Sequence, residues 1–596
     1  MLCYNLPERL FMRVSVMRSG SDKIVYIVES FRVDKKVVTK VVERVGKLSD
    51  LALKHDDPIA FAKERAKALT EERKLYEENF DVRFFTQRDL PDGRQTSFNA
   101  GYLFLQKIYY GLSLDKVCSK IRQSTKCEYD LNGILKDLVI SRILYPSSKR
   151  SSFELSHRFI EQPDYELHDV YRSLDLLCGH MPFIQSEVYK SSSRVCERNT
   201  GVLYYDCTNF FFEAEGEDAL RKYGVSKEHR PNPIVQLGLF MDGNGIPLAF
   251  NVNPGSQSEQ LSPIPTEKMI ERDFGLSKFV YCSDAGLGSY HIRWFNQLRD
   301  RSFVVAQSLK KLKGHLRDWA LGDGGWKSGM SIDSLPPDSA ETLIKSRPIL
   351  EKGTVRLETP SELGDGAAEI LNVQKEIDQR LIVTYSPRYA AYQKSIRDSQ
   401  VERAKKLIRR PASFDKCSST DCRRFVKNIA FTKDGEIIGK NLCLDESLIL
   451  EEERYDGFYA LITNLDGSDE EIVKINHSRW KIEESFRIMK TEFKSRPVYV
   501  QKEGHIKAHF LTCYLALLIY RILEQRLNSD GRHFTTGEIV DALRNMNLFK
   551  LGEIGFASNY PGSQLLEALC DEFDLPLNKQ AYRMDKIKKT IKQTKR

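Results

Sequence analysis

The sequence predicts an α/β protein: a mixed sheet with helical crossovers, interrupted by a largely β insertion and preceded by β-rich and helical regions. Three observations carry that expectation. Between residues 201 and 309 the apolar runs come in the order strand, strand, strand, helix, strand, helix, strand, with a tight turn joining the second and third. The rhythm breaks from 310 to 454 and returns over 455–530 with a strand and a long amphipathic helix. Ahead of it, residues 1–95 read as short strands with one charged helix, and 96–200 as helices alone.

At the N-terminus, MRVSVMR and KIVYIVESFRV alternate around GSDK, a hairpin signal, and VVTKVVERVGKL continues in kind. The charged helix AFAKERAKALTEERKLYEENF follows. In LNGILKDLVISRIL and ELHDVYRSLDLLCGHM apolar residues recur every three or four positions, the period of helices. Lys and Arg are interspersed there, as in KRSSFELSHRF. Such a region suits a domain that holds DNA ends, and equally a plain helical bundle.

VLYYDCTNFFFE (202–213) opens the α/β part as a strand. NPIVQLGLFMDGNGIPLAFNVNPG reads as two strands around DGNG. LSPIPTEKMIERDFGL reads as a helix, KFVYCSDAG as a strand ending in Asp284, SYHIRWFNQLRD as a helix and SFVVAQSL as a strand. A hairpin-linked start followed by helical crossovers is the pattern of a ribonuclease H-type sheet. The insertion, 310–454, holds short strand-like pieces (EILNVQKEI, RLIVTYSP) and a long charged helix, AAYQKSIRDSQVERAKKLIRR. DGFYALITNL then reads as a strand, EEIVKINHSRWKIEESFRIMKTEF as one amphipathic helix and HFLTCYLALLIYRIL as a core helix behind it. Residues 531–596 form a C-terminal region with a basic tail.

The chain has 596 residues, too many for one core, so a few domains are expected. A formal net charge of +8, from 91 basic and 83 acidic residues, permits a nucleic-acid partner without demanding one. The closing KIKKTIKQTKR fits a phosphate-binding segment and a solvated tail alike. MLCYNLPERLFMR lacks the apolar core of a signal peptide. FLTCYLALLIYRIL (510–523) is too short to span a bilayer, so no membrane association is expected. Among the 12 cysteines, Cys417 and Cys422 flank SSTD, a spacing unlike the tight pairs of zinc sites. Free thiols in a reducing cytoplasm follow as the default.

Asp206 raises a question, because an unpaired ionised carboxylate at the end of a buried strand is costly. A cap, a buried Arg or a metal ion would each answer it. Asp284 follows its own apolar strand in the same way, so both carboxylates reach one edge of a shared sheet, where sites of open α/β sheets gather. Two clustered carboxylates repel unless a cation lies between them, and Mg²⁺ suits such oxygen ligands. On HSRWKIEESFRIMK, Arg479, Glu483, Arg487 and Lys490 fall at i, i+4, i+8 and i+11, close to one helix face. Glu483 holding metal among phosphate-gripping cations is one reading. An exposed face on which Arg479 and Glu483 pair is the other. Glu484 points about 100° away from Glu483.

The string from Arg479 through Glu483 to Lys490, with Trp480 beside the Arg and Phe486 after the Glu, resembles the YREK signature. That signature belongs to the DDE transposases of bacterial insertion sequences, in the IS-four-like superfamily. YYDCTNFFFE, GIPLAFNVNPGSQSE, CSDAGLGS and DGFYALITNL resemble its IS-sixteen-thirty-four branch. There is one departure. The signature's Tyr, a backbone-phosphate contact in the family, falls at Asn476, which keeps a hydrogen-bond donor and loses the ring.

The resemblance implies a ribonuclease H-like catalytic core, whose catalytic and metal-holding triad is Asp206, Asp284 and Glu483. It implies two divalent ions, Mg²⁺ or Mn²⁺, and DNA contacts by Asn476, Arg479, Arg487 and Lys490. The implied enzyme binds the terminal inverted repeats of a transposon, cleaves DNA by hydrolysis and joins the freed 3′-OH to target DNA. It would act as a homodimer in the synaptic complex, in the cytoplasm at the nucleoid. Two other readings are a domesticated, non-enzymatic DNA-binding protein and a ribonuclease H-like nuclease without strand transfer. The presence of all three acids argues against the first. The flanking regions and the insertion argue against the second. His505 and His509 have the i,i+4 spacing of a zinc pair, but no Glu follows His505 and packing is expected. Trp319 and Trp326 stay open between stacking on a flipped base and structural packing.

Overall fold

The structure is a computed structural model that describes residues 8–19, 22–33, 36–78, 95–228, 230–298, 300–360, 368–409, 422, 424–428, 442–529 and 531–596. The chain divides into two compact units, Met1–Arg94 with Leu551–Gly555, and Gln95–Lys550 with Phe556–Arg596. The first unit contains an antiparallel meander of β1 (Glu8–Ser19), β2 (Asp22–Val33) and β3 (Lys36–Lys47). Val25 from β2 packs with Leu51 and with Ala62 of the helix Pro58–Glu78. The alternation that predicts this hairpin is thus one apolar face turned to a helix. Half of its GSDK turn, and the end of the charged helix, lie outside the described residues.

The second unit is built on a large mixed α/β sheet. After a short strand β4 (Ser97–Asn99) come β5 (Val202–Phe211), β6 (Ile234–Asp242), β7 (Pro247–Pro254), β8 (Val280–Ser283) and β9 (Ser302–Ala306). Two long strands follow, β10 (Leu343–Pro360) and β11 (Ala368–Tyr385), then a small pair, β12 (Val426–Asn428) and β13 (Leu442–Leu444), then β14 (Phe458–Thr463). The eight-stranded sheet has the order β10-β11-β14-β9-β8-β5-β6-β7. β5, β6 and β7 are antiparallel, whereas β8 and β9 run parallel to β5. β14 lies antiparallel to β9, and β11 antiparallel to β14.

The stretch expected as an insertion therefore also lengthens the core sheet. EILNVQKEI and RLIVTYSP, read separately in the sequence, are one 18-residue strand. Only Arg380–Tyr385 pairs with β14. The rest has β10 alone beside it, so polar residues are tolerated on both faces and mask its continuity.

The apolar helix Glu503–Leu527 is buried along most of its length. It packs against the helices Tyr102–Gly111, Leu131–Leu144 and Leu167–Gly179 and against β7. Each Leu, Ile or Phe it buries contributes roughly 1.5–3 kcal/mol. Among the described residues it is the one helix long and apolar enough to cross a membrane, and protein covers it here.

The single helix predicted over 470–493 is two, Asp469–His477 and Trp480–Thr491. Ser468 and Glu471 cap the first reciprocally. No Gly or Pro marks the break. Instead the ladder tightens, with Arg479 N–H donating to Asn476 O and Ile482 N–H to Arg479 O. The basic C-terminus is a helix, Met584–Thr594, that buries Ile587, Thr590 and Thr594 and leaves lysines outside, so it is not a solvated tail. No disulfide joins the described cysteines; Cys417 lies outside them, and Cys422 is buried beside Ala404, Leu407 and Phe425.

Candidate active site

β5 and β8 set the first two acids side by side. They run parallel, with Leu203 opposite Tyr281 and Tyr204 opposite Cys282. Continued two residues past the last pair, that register brings Asp206 level with Asp284. The sequence places Asp206 just past its strand, but the structure keeps it inside β5, opposite Leu239 of β6. It is β8 that stops, at Ser283. Asp206 thus lies where β5 loses one neighbour and a groove can open. Asp284 begins a tight turn in which its Oδ1 accepts from Leu287 N–H at 2.9 Å. A side chain at Gly288 would run into Val305, which keeps this turn close to the sheet.

The helix Trp480–Thr491 buries Ile482, Phe486, Ile488 and Met489 and packs against β5. That buried stripe leaves Glu483 in the first turn, 56% exposed, paired with Arg479 at 2.9 Å. Glu484 is differently placed. Its carboxylate accepts from Arg521 of the core helix at 3.0 Å and from Arg487 at 3.4 Å. Arg487 therefore leaves the expected stripe and joins Glu484 on the neighbouring flank. Its ideal position falls between the two acids, about 40° from Glu483 and about 60° from Glu484, so it can reach either. Lys490 stays near Asp206 and pairs with Glu228 at 3.6 Å.

Burial pushes the Asp206 carboxyl up to about 6, with Lys227 and Arg479 pulling down and Asp284 pushing further up. Burial works against the Arg479 charge, but Glu483, Asp206 and Asp284 outweigh it. Arg479 is thus the electrostatic link between the two aspartates and Glu483. Burial and Lys227 lower Lys490 to about 8. Among the described residues Asp206 has no ion-pair partner in contact, and its one hydrogen bond is from Cys207 N–H at 2.7 Å. Asn476 is buried, donates to Tyr459 Oη at 3.4 Å and leaves its Oδ1 without a partner.

Sequence reasoning missed Lys227, which stands between β5 and β6, donates to Cys207 O at 2.5 Å and pairs with Glu259 at 3.3 Å. It missed Tyr459 as well. Neither carries a periodic signal, because one sits on irregular chain and the other looks like any strand aromatic. The remaining candidates are structural. His505 faces Asp175 at 3.4 Å, while His509 is buried against Ser495 O at 3.2 Å. Trp326 is buried and Trp319 partly so, and their rings flank Lys345 at 4.2 and 5.2 Å.

The family model described as "Transposase DDE domain" matches residues 210–519, just over half of the chain. The chain belongs to this family of DDE transposases. Among solved structures it is similar to the piggyBac transposase synaptic complex with hairpin DNA, at 8% identity and a TM-score of 0.34, over 88% of this chain and 80% of that one. It is also similar to the Mos1 transposase paired-end complex with the left transposon end, at 13% identity and a TM-score of 0.13, over 39% and 64% of the two chains. A comparison with curated proteins returned no match.

The family uses divalent metal ions, and the residues present fit one. Asp206 and Asp284 offer a purely oxygen donor set, the choice of hard cations. Among the described residues Asp206 also has no ion-pair partner in contact, and Lys227 and Arg479 act on it only at longer range. Among the described residues no three acidic, His or Cys side chains are yet gathered closely enough to hold a metal. Glu483 is paired with Arg479.

Proposed function

We propose that the chain is a DDE transposase that binds transposon ends, cleaves DNA by hydrolysis and joins the freed 3′-OH to target DNA. One observation carries the reading: the parallel register of β5 and β8, continued two residues past its last pair, brings Asp206 level with Asp284 in a chain of the DDE transposase family. The strand order β7-β6-β5-β8-β9, antiparallel then parallel, supports a ribonuclease H-like core. The string Arg479 to Lys490 supports a place in the IS-four-like superfamily, near the IS-sixteen-thirty-four branch. Residues 96–200 are then the DNA-end-binding part, and the working form a homodimer in the synaptic complex at the nucleoid.

In this reading Asp206, Asp284 and Glu483 hold two ions, Mg²⁺ or Mn²⁺. When bound, such ions supply a more acidic water and stabilise a leaving oxygen. The protein's own groups do the rest. Asp206 and Asp284 present fixed oxygens from a rigid sheet. Arg479 screens the acids from one another and is a donor to phosphate once Glu483 turns away. Lys490 and the exposed Arg487 bind DNA phosphates, and Asn476 orients Tyr459. The test is cleavage of a labelled transposon end by purified protein. Cleavage should need Mg²⁺ or Mn²⁺, and Asp206→Asn should lose it while still binding the end. Full cleavage in excess chelator, or by the Asn variant, refutes the reading.

A further inference from the structure

Between β5 and β6 the chain runs irregularly through residues 212–228 and 230–233, and there Glu228 meets more positive charge than it can neutralise. Three cations converge on its carboxylate: Lys490 at 3.6 Å, Arg230 at 4.0 Å, and Arg496, which is in direct contact. They come from a helix, from the segment itself and from the chain beyond the helix. The rings of Phe210 and Phe211 at the end of β5 support them. Lys490 lies 5.6 Å from the Phe210 centroid, with Arg230 and Arg496 4.2 and 5.9 Å from Phe211. The side chains of Lys490 and Arg496 are only 15% and 25% exposed. Half-buried cations in such surplus are costly unless an anion completes the site.

A single carboxylate spread over three cations is an incomplete anion. A phosphodiester offers oxygens on a tetrahedral centre, which suits an Arg fork and a Lys point charge together. The location suits it too. Lys490 and the neighbouring Lys227 both feel the charge of Asp206, so the cradle borders the candidate active site. We propose that this cradle is a subsite for a backbone phosphate of DNA, and that Glu228 holds the phosphate's place until DNA displaces it. The inference rests on the DNA-binding part of the proposed function and needs no metal or cleavage.

The experiment is anisotropy of a labelled random-sequence duplex with the full-length chain across a salt series. Glu228→Gln should tighten binding several-fold at moderate salt. It should also steepen the log-affinity versus log-salt slope, because cations no longer paired with Glu228 hold salt anions that the arriving phosphate releases. Glu402→Gln, which removes one exposed carboxylate from the helix Pro387–Arg409, should change both far less. Arg496→Gln should weaken binding, and adding Glu228→Gln to it should recover little, because the two act at one place.

Wild-type binding that does not respond to Glu228→Gln, or responds equally to Glu402→Gln, overturns the subsite and leaves the transposase reading intact. No binding by any form overturns both. A thermal-shift titration with inorganic phosphate separates the sources. If phosphate ion stabilises Glu228→Gln while duplex affinity is unchanged, the cradle takes free phosphate and the assignment to DNA is wrong.

Discussion

Replacing Asp206 with Asn should make the metal-free protein more stable, even as it removes activity. Burial lifts the Asp206 carboxyl from 3.8 to about 6. Each unit of that lift is worth about 1.4 kcal/mol, so keeping the group ionised at pH 7.5 costs the fold about 3 kcal/mol at most. The sign follows from linkage. A carboxyl raised in the folded state stabilises while protonated, and that stability is lost as pH climbs through about 6. The Asn variant should therefore gain most above pH 7 and nothing below pH 4. For a cooperative unit of roughly 500 residues, unfolding entropy near 1 kcal/mol/K converts the full gain to about 3 °C in Tm. Mg²⁺ should narrow the gap by about half. At ten times its dissociation constant it adds about 1.4 kcal/mol to the wild type, and little to a variant lacking the ligand. The assay is differential scanning calorimetry of both proteins at pH 4, 6 and 7.5, with EDTA and with Mg²⁺. A lower Tm for the Asn variant in EDTA at pH 7.5, or equal Mg²⁺ shifts in both proteins, would refute the reasoning.

Four further outcomes are expected. Glu483→Gln should abolish end cleavage, by about 10³-fold or more in rate. Glu484→Gln should keep the chemistry but lose about 1–2 kcal/mol of stability, because Arg521 is buried and loses one of its partners; cleavage rates and urea melts side by side check both. Lys490 titrates near 8, so its share of DNA affinity should fade as pH rises past that value, and Lys490→Arg should remove the pH dependence seen in anisotropy. Lys149 is buried, and desolvation and then Arg142 lower it to about 7. Its penalty is full below pH 7 and shrinks as pH rises toward 10.5, so Lys149→Met should raise Tm at pH 6 and do progressively less above pH 8; a lower Tm at pH 6 would contradict this.

Much of the site is legible in the chain because buried strands read as apolar runs and a carboxylate inside one is conspicuous. Asp206 and Asp284 stand out for that reason. What was hidden is non-local. Whether β5 ends at Asp206 or continues depends on β6 still pairing with it after β8 has stopped. The helix break before Trp480 is set by a tightened hydrogen-bond ladder at Ser478–Arg479, with no Gly or Pro to announce it. It leaves Arg479 and Glu483 paired while Arg487 swings toward Glu484. Lys227 and Glu228 have no pattern at all, and only the folded chain brings them to Asp206 and Lys490.

The helix Glu503–Leu527 also governs the order in which the protein can be made. Helices between residues 102 and 179 use it as their packing partner, yet it leaves the ribosome more than 300 residues after them. Until then they can pack only on one another, and the emerging segment itself is greasy enough to attract a membrane or a chaperone. Nascent chains stopped before residue 503 should stay protease-sensitive across 102–179, and protection should arrive in one step once the helix clears the exit tunnel. Synthesis, rather than any cofactor, would then set the moment at which this protein becomes able to act.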